Sequence, residues 1–475
     1  MRIPPDGASS MAYSPTHDRR GTWVVRRRPV IAIVVAIVLF STVAIAIIAR
    51  ELLTARHVRS EFESLRAAGY PVDNASMAAW FRNQTSSEGT ALWHEALSLA
   101  TGCGDAYPLF GELPFVGTAP APVVLEPGSP WPEEPAASAF LAWARPAIDK
   151  IEKAGAAPGP VWWPISFQGF NTLLEPLQES RSVVRLLQLD VEHALYHRDG
   201  ARAMRSLHAM RRAADAFDWG AALIGELVEL ARRQVHHGTI QRSLACDVWT
   251  ESDIDTLLEQ LGPARDAPAA WRRAMSVERA LAWATLSSPD GEAAYGPSGS
   301  GILLFMRIPS SRASLLHWQR RLIEVADGGL AQLDIRASRI EREASDTAHS
   351  PLGVALPIPP WETMLLPAVS SMASAFERDE ESRRLTRASL AIHRFRLRIG
   401  DWPASLAELH AHGLSSEDVS TFHRGPFGYS VDGGEARIWT YNPSKKDAVP
   451  LDCPALDDKE FHGAIVVIRK RSDRP

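Results

Sequence analysis

Cysteine is scarce in this chain, with three residues in a sequence of 475. So few thiols cannot form a disulfide framework, and no two of them have the Cys-x-x-Cys spacing of a thiolate zinc site. At most one disulfide is expected, between Cys103 and Cys453, because both lie in loops that contain glycine or proline. Cys246 lies in a helical run and is predicted to be a core residue.

An excess of positive charge is also absent. The chain has 51 Lys and Arg against 56 Asp and Glu, which gives a net charge of −5. General nucleic-acid binders carry a strong basic excess, so we expect no nucleic-acid partner. The Gly-x-x-x-x-Gly-Lys loop of phosphate-loop NTPases is missing, which excludes that class of enzyme. With 45% hydrophobic and 23% charged residues the chain is globular, and its length allows two or three domains.

Charged side chains are missing altogether from residues 30–49, where the only polar side chains are Ser41 and Thr42. A helix of this length spans about 30 Å, the thickness of the hydrocarbon core of a bilayer. Five arginines lie shortly before the run and three shortly after it; they are Arg19, Arg20, Arg26, Arg27 and Arg28, then Arg50, Arg56 and Arg59. Because cytoplasmic flanks are the more basic ones, this predicts a cytoplasmic tail at 1–29 and a single transmembrane helix at 30–49. The bulk of the chain would then be periplasmic, anchored in a bacterial inner membrane.

A cleaved signal peptide is the alternative for this segment. Ala44-Ile45-Ala46 has the small residues of a cleavage site, and cleavage there would release the protein. The apolar run is longer than a usual signal core and continues past that site, which favours an uncleaved anchor.

Composition and apolar periodicity divide the remaining chain. From 173 to 284 apolar residues recur with the 3.6-residue period of amphipathic helices, whereas 108–164 contains twelve prolines. The predicted parts are a helical stalk and start of the exported domain at 50–107, a Pro/Trp-rich irregular region at 108–164 with a short helix at 136–153, a helical-hairpin domain at 165–349, a Pro-rich linker at 350–361, and a long helix plus small antiparallel sheet at 362–475. We therefore predict a mainly α fold with an N-terminal transmembrane helix, a helical-hairpin periplasmic domain and a small C-terminal α+β module.

The C-terminal segment carries motifs in a recognisable order. A helix ends in a Gly-x-aromatic-Pro turn before a short Leu-x-x-Leu helix; these residues are Gly400, Trp402, Pro403, Leu406 and Leu409. A Gly-Pro-Phe-Gly-Tyr turn follows at 425–429, and a loop after a strand at 441–447. This segment resembles the head of type II secretion major pseudopilins, which implies a helix covered by a small sheet. The resemblance implies that Trp402 is buried at the turn and that strands 427–431 and 436–441 close over the helix at 385–399.

The segment also departs from that family. The chain has no pilin-type leader, and more than 300 residues separate the anchor from the module, so we do not expect it to polymerise as a pilin. Lys445 and Lys446 place positive charge where calcium ligands would be needed, so we expect no calcium. The whole arrangement, including 65–73, is similar to a group of uncharacterised bacterial single-pass membrane-anchored proteins, a resemblance that implies no activity.

Histidines offer the main candidates for a metal site. His193 and His197 lie four residues apart on one predicted helix, the spacing of a zinc-binding pair, with Glu192 beside them and His208 across the turn. Their neighbours are polar, so a solvated helix face is the simpler interpretation, and we predict no metal site. His236-His237 and His410/His412 are weaker candidates because adjacent or alternate histidines on a helix diverge.

No convincing catalytic set is found. Ser430 lacks the second glycine of a nucleophile elbow. The carboxylate pairs Glu175/Glu179 and Glu226/Glu229, and the charged run at 377–384, are interpreted as solvated helix faces. We predict no catalytic, cofactor-binding or metal residues and no cofactor.

Tryptophan is abundant, with 15 residues, and Trp162-Trp163 is the best pair for an aromatic glycan platform. Our leading hypothesis is nevertheless a non-enzymatic membrane-anchored periplasmic scaffold or interaction protein, with protein partners in the cell envelope and a link to secretion or envelope assembly. The alternative is an envelope hydrolase or glycan-binding protein that uses the Trp-rich region.

Overall fold

The chain is mostly helical in the computed structural model, which describes residues 27–120, 127–218, 222–287, 309–349, 361–422, 425–440 and 464–469. The helices are α1 (Arg27–Ala67), α2 (Asn74–Gln84), α3 (Thr90–Ala106), α4 (Glu134–Ala154), α5 (Glu175–Tyr196), α6 (Gly200–Ala216), α7 (Ala222–Ser243), α8 (Glu251–Leu261), α9 (Ala267–Ser287), α10 (Pro309–Glu324), α11 (Leu330–His349) and α12 (Trp361–Ile399). The strands are β1 (Gly428–Asp432), β2 (Glu435–Trp439) and β3 (Ile465–Arg469). The predicted mainly α fold with a small sheet is confirmed.

Helix α1 joins the apolar run to the rest of the chain without a break. It is long and apolar enough to cross a membrane, and the protein buries none of its apolar window. The last turns of α1 are instead packed against the protein, since Val58 and Phe62 are buried together with Val72 and Leu316. The Phe62 ring lies 3.9 Å from the Trp283 ring, centroid to centroid. Residues 50–67, the first part of the segment predicted at 50–107, are therefore a continuation of α1 that packs on the domain.

The helical middle follows the predicted apolar stripes. Leu187, Val191 and Leu195 of α5 lie in one core with Leu207 and Met210 of α6. Helix α6 begins directly after Asp199. The Asp199 carboxylate accepts from the Arg202 backbone N–H at 3.0 Å and caps the helix. The short helix expected within the Pro-rich region is α4.

The C-terminal elements form an antiparallel sheet in the order β1-β2-β3. Gly433 and Gly434 form the turn between β1 and β2 with φ of +56° and +88°, conformations that glycine adopts without a steric penalty. The predicted strands 427–431 and 436–441 are therefore joined as an antiparallel hairpin, with Asp432 paired to Glu435. Ile438 of β2 and Ile468 of β3 share a core with Ile392 of α12, and the same core extends into α5 and α6. The C-terminal elements are thus continuous with the helical domain.

Trp402 is only half-buried at the turn after α12, and the Arg396 guanidinium lies over its ring at 5.2 Å. The expectation of a buried Trp402 is met only in part, because the ring packs against the core on one side and lies beneath a charged side chain at the surface on the other. Nearby, the Tyr429 hydroxyl donates to the Pro403 carbonyl at 2.9 Å and ties β1 to the turn. The loop at 441–447, the linker at 350–360 and Cys453 lie outside the described residues, so the expectations on calcium and the Cys103–Cys453 pairing stay predictions.

Several charged residues that the sequence places on solvated faces are buried instead. Glu226 is 1% exposed and Glu229 2%, and the acidic run on α12 is buried at Asp379 and Glu380. Each carboxylate has an arginine partner; the ion pairs are Glu226–Arg265 at 2.8 Å, Glu229–Arg232 at 2.6 Å, Asp379–Arg233 at 3.0 Å and Glu380–Arg383 at 2.7 Å. The interpretation of these carboxylates as solvated is wrong, because arginines offset the cost of burying their charge.

Acid should weaken this fold through His393. The imidazole is fully buried on α12 and neither ring nitrogen has a hydrogen-bond partner. Burial, reinforced by Arg396, lowers its pKa to about 3. The unfolded chain takes up the proton near pH 6.5, so stability falls as the pH drops below that value, by about 2 kcal/mol between pH 7 and pH 5.

The test compares urea unfolding of the parent with that of His393→Leu at both pH values. The variant should lose about 2 kcal/mol less than the parent on acidification. Equal losses in the two proteins would contradict this role for His393.

Candidate functional site

His193 lies in the last turn of α5 and His197 directly follows the helix, and the structure brings a third side chain to them. Glu134, the first residue of α4, places its Oε1 atom 3.3 Å from His193 Nε2 and 2.9 Å from His197 Nε2. The three ligand atoms lie within 4.8 Å of one another. Within the part of the chain that the structure describes, no other trio of His, Cys, Asp or Glu converges in this way.

The segment before α4 is fixed to α5, and this positions Glu134. The Tyr196 hydroxyl donates to the Ser129 carbonyl at 2.9 Å. The Trp131 ring packs edge-on against the Tyr196 ring, with centroids 5.3 Å apart, and lies 6.1 Å from the His193 ring. Since Trp131 is 6% exposed, this side of the cluster is closed to water.

A buried carboxylate lies on the side of the cluster opposite Trp131. Asp190, one turn before His193, is fully buried and accepts from Arg145 Nη2 at 2.7 Å and from Ser206 Oγ at 2.5 Å. It also accepts from Nε and Nη2 of Arg202. The remaining nitrogen of that guanidinium, Nη1, lies 3.3 Å from His193 Nδ1. Arginine only donates, so Nδ1 accepts, and in the neutral ring the proton is on Nε2.

The two imidazoles differ in their surroundings. His193 is 6% exposed, and its Nε2 makes no well-aligned hydrogen bond, although Glu134 Oε1 lies 3.3 Å away. Burial lowers its pKa, with Arg202 and His197 adding to the effect and Glu134 opposing it. His193 is therefore neutral near pH 7, as a metal ligand must be. The side chain of His197 is 49% exposed, so the cluster opens to solvent on that side.

The sequence identified the histidine pair but not its partner. Glu192 instead binds Arg242, at 2.5 Å, and His208 lines a separate cavity with Glu152 and Arg212. The interpretation of the pair as a solvated face fits His197 and is wrong for His193. Glu134 gave no local signal, because it lies in another helix and only folding brings it to the histidines.

The other candidates form no shared site. His236 and His237 are both buried, with ring centroids 6.0 Å apart, and His237 Nδ1 faces Asp379 at 3.8 Å. His410 Nδ1 contacts the Leu414 carbonyl at 2.9 Å. Ser430 lies within β1, opposite Arg437, and so lacks the strand-to-helix turn of a nucleophile elbow.

Trp162 and Trp163 do not present two open ring faces. Trp163 is 6% exposed and stacks on His94 with centroids 4.6 Å apart. Trp162 is half-buried, and the Arg82 guanidinium lies over its ring at 5.4 Å. The pair therefore packs within the protein and offers no two-ring platform for a sugar.

Comparison of the chain with known protein families, with curated proteins and with solved structures gives no match. The likeness to pseudopilins therefore depends on the sequence motifs alone.

Proposed function

We propose that this protein is a single-pass membrane protein whose helical domain acts as a non-enzymatic scaffold or interaction partner in the cell envelope. The N-terminus would be cytoplasmic and the domain periplasmic, as the five arginines before the span and the three after it favour. The alternative is a glycan-binding protein or envelope hydrolase that uses the Trp-rich region; the packing of Trp162 and Trp163 within the domain removes its best two-ring platform.

The observation that carries the proposal is the continuity of α1. One helix runs from the apolar span into the buried contacts of Val58 and Phe62. A helix without a flexible linker fixes the height and orientation of the domain above a bilayer. That is useful for a protein that must present one surface to a membrane-bound partner.

The C-terminal elements support a link to secretion or envelope assembly. Their motif order resembles the pseudopilin head, and the helix, turn and antiparallel strands occur in that order in the structure. Because these elements share a core with the helical domain, we propose that they act as a fixed part of the scaffold.

Topology is the first test. A reporter active only outside the cytoplasm should be active when fused after Pro475 and inactive when fused before Met1. The protein should also stay in the membrane fraction after carbonate washing. Inverse reporter activity, or recovery of a soluble chain that begins near Ile47, would contradict the proposed anchor.

Partner capture is the second test. The full chain would be cross-linked in native membranes and purified through a C-terminal tag, with an untagged parent strain as control. We expect the same envelope proteins to copurify repeatedly with the tagged chain. In a matched strain, the transmembrane span of an unrelated single-pass protein replaces residues 30–49. If the same proteins still copurify, the helical domain and not the span recognises them. Capture of no protein above the control would contradict the scaffold role.

A further inference from the structure

We propose that Glu134, His193 and His197 bind a divalent transition metal, with Zn²⁺ the best fit to this ligand set. Two imidazoles and one carboxylate are a familiar three-ligand zinc set, with the fourth position left for water. The site is independent of the scaffold role and stands or fails without it.

The distances suit one ion. Zinc binds imidazole nitrogen and carboxylate oxygen at about 2.0–2.2 Å, which places tetrahedral ligands roughly 3.3 Å apart. Glu134 Oε1 lies 3.3 Å from His193 Nε2 and 2.9 Å from His197 Nε2. Small side-chain rotations would bring all three atoms onto one ion, because they already lie within 4.8 Å of one another.

His193 Nε2 is the observation that points to a ligand. This nitrogen belongs to a residue that is 6% exposed, and it faces Glu134 Oε1 at 3.3 Å without a well-aligned hydrogen bond. A buried polar atom with so poorly aligned a hydrogen bond costs free energy, and coordination to a metal would satisfy it better. The half-exposed His197 leaves the fourth position of the ion open to water.

Arg202 is expected to limit the affinity of the site for the metal. A metal on Nε2 requires the proton on Nδ1, where the Arg202 guanidinium now donates. The metal and Arg202 are also like charges. Both effects lower the affinity, so we expect binding weaker than at a closed structural zinc site. The bound ion would connect the start of α4 to the end of α5.

The test is calorimetric titration of the full-length, untagged protein in detergent with Zn²⁺ alone. The parent should bind one ion per chain, and Co²⁺ should give the visible absorption of a tetrahedral site. Glu134→Gln and His197→Ala should each weaken binding by about tenfold or more. Both positions are partly exposed, which limits the effect of these changes on folding.

His317→Ala is the matched control, since it removes an exposed histidine from α10 and should leave the affinity unchanged. Arg202→Gln should bind Zn²⁺ more tightly, by about tenfold, because it removes a like charge and offers an acceptor for Nδ1–H. The proposal is overturned if the parent binds no stoichiometric Zn²⁺ or if Glu134→Gln and His197→Ala bind like the parent. Weaker binding by Arg202→Gln would contradict ligation through His193 Nε2.

Discussion

Replacing Arg233 by methionine is expected to lower the free energy of unfolding by about 3–5 kcal/mol, the usual cost of breaking a buried ion pair from one side. Arg233 of α7 is 6% exposed and Asp379 of α12 3%. Arg233 Nε donates to Asp379 Oδ2 at 3.0 Å. Without the guanidinium, the carboxylate stays buried with no direct cationic partner.

The pH dependence of that loss identifies its cause. Burial raises the pKa of Asp379, and the arginines Arg233 and Arg265 oppose the rise. Removing Arg233 should therefore raise the pKa further. A carboxyl group whose pKa is higher in the folded than in the unfolded protein stabilises the fold as the pH falls. The loss in free energy of unfolding caused by Arg233→Met should therefore be smaller at pH 5 than at pH 8.

Urea unfolding of two further variants provides the controls. Arg233→Met combined with Asp379→Leu should cost less than the sum of the single changes, because an apolar pair leaves no buried charge. Arg398→Met removes an exposed α12 partner of Glu251 and should cost about 1 kcal/mol or less. If Arg233→Met costs no more than Arg398→Met, the ion pair between α7 and α12 is not a main source of stability.

The elements that the sequence predicts well are those with a local physical cause. An apolar residue every third or fourth position gives α5 and α6 one buried stripe, and this pattern is visible without knowing what covers it. The Asp-Gly-Gly-Glu turn likewise specifies its hairpin within four residues. The uncharged run at 30–49 predicts the apolar part of α1 for the same reason.

The buried ion pairs Glu226–Arg265 and Asp379–Arg233 have no such local signal. Glu226 and Asp379 appear on polar faces of their helices, and polar faces are usually solvated. Their burial depends on Arg265, from the loop between α8 and α9, and on Arg233 of α7, so only tertiary packing decides it. The same limit applies to the candidate metal site, where the spacing of His193 and His197 is a local feature but the approach of Glu134 is not.

Asp190→Asn is expected to destabilise the chain by about 3 kcal/mol, because it removes a fully buried charge from two guanidinium groups. The carboxylate accepts from Arg145, Arg202 and Ser206, which lie on α4 and α6, while Asp190 lies on α5. An asparagine keeps the size of the side chain but is uncharged, and its amide can present a donor to the guanidinium groups, which only donate. The packing of α4 and of α6 against α5 should weaken together.

Asp149→Asn is the matched control. Asp149 also pairs with Arg145, at 3.4 Å, but its side chain is 61% exposed, so its loss should cost about 1 kcal/mol or less. Asp190→Asn should also free Arg202 from its fixed position and change Zn²⁺ affinity, whereas Asp149→Asn should not. Urea unfolding and Zn²⁺ titration of both variants measure the two effects separately. Equal stability losses would mean that solvent reaches Asp190, and equal affinities would mean that its arginine does not act on His193.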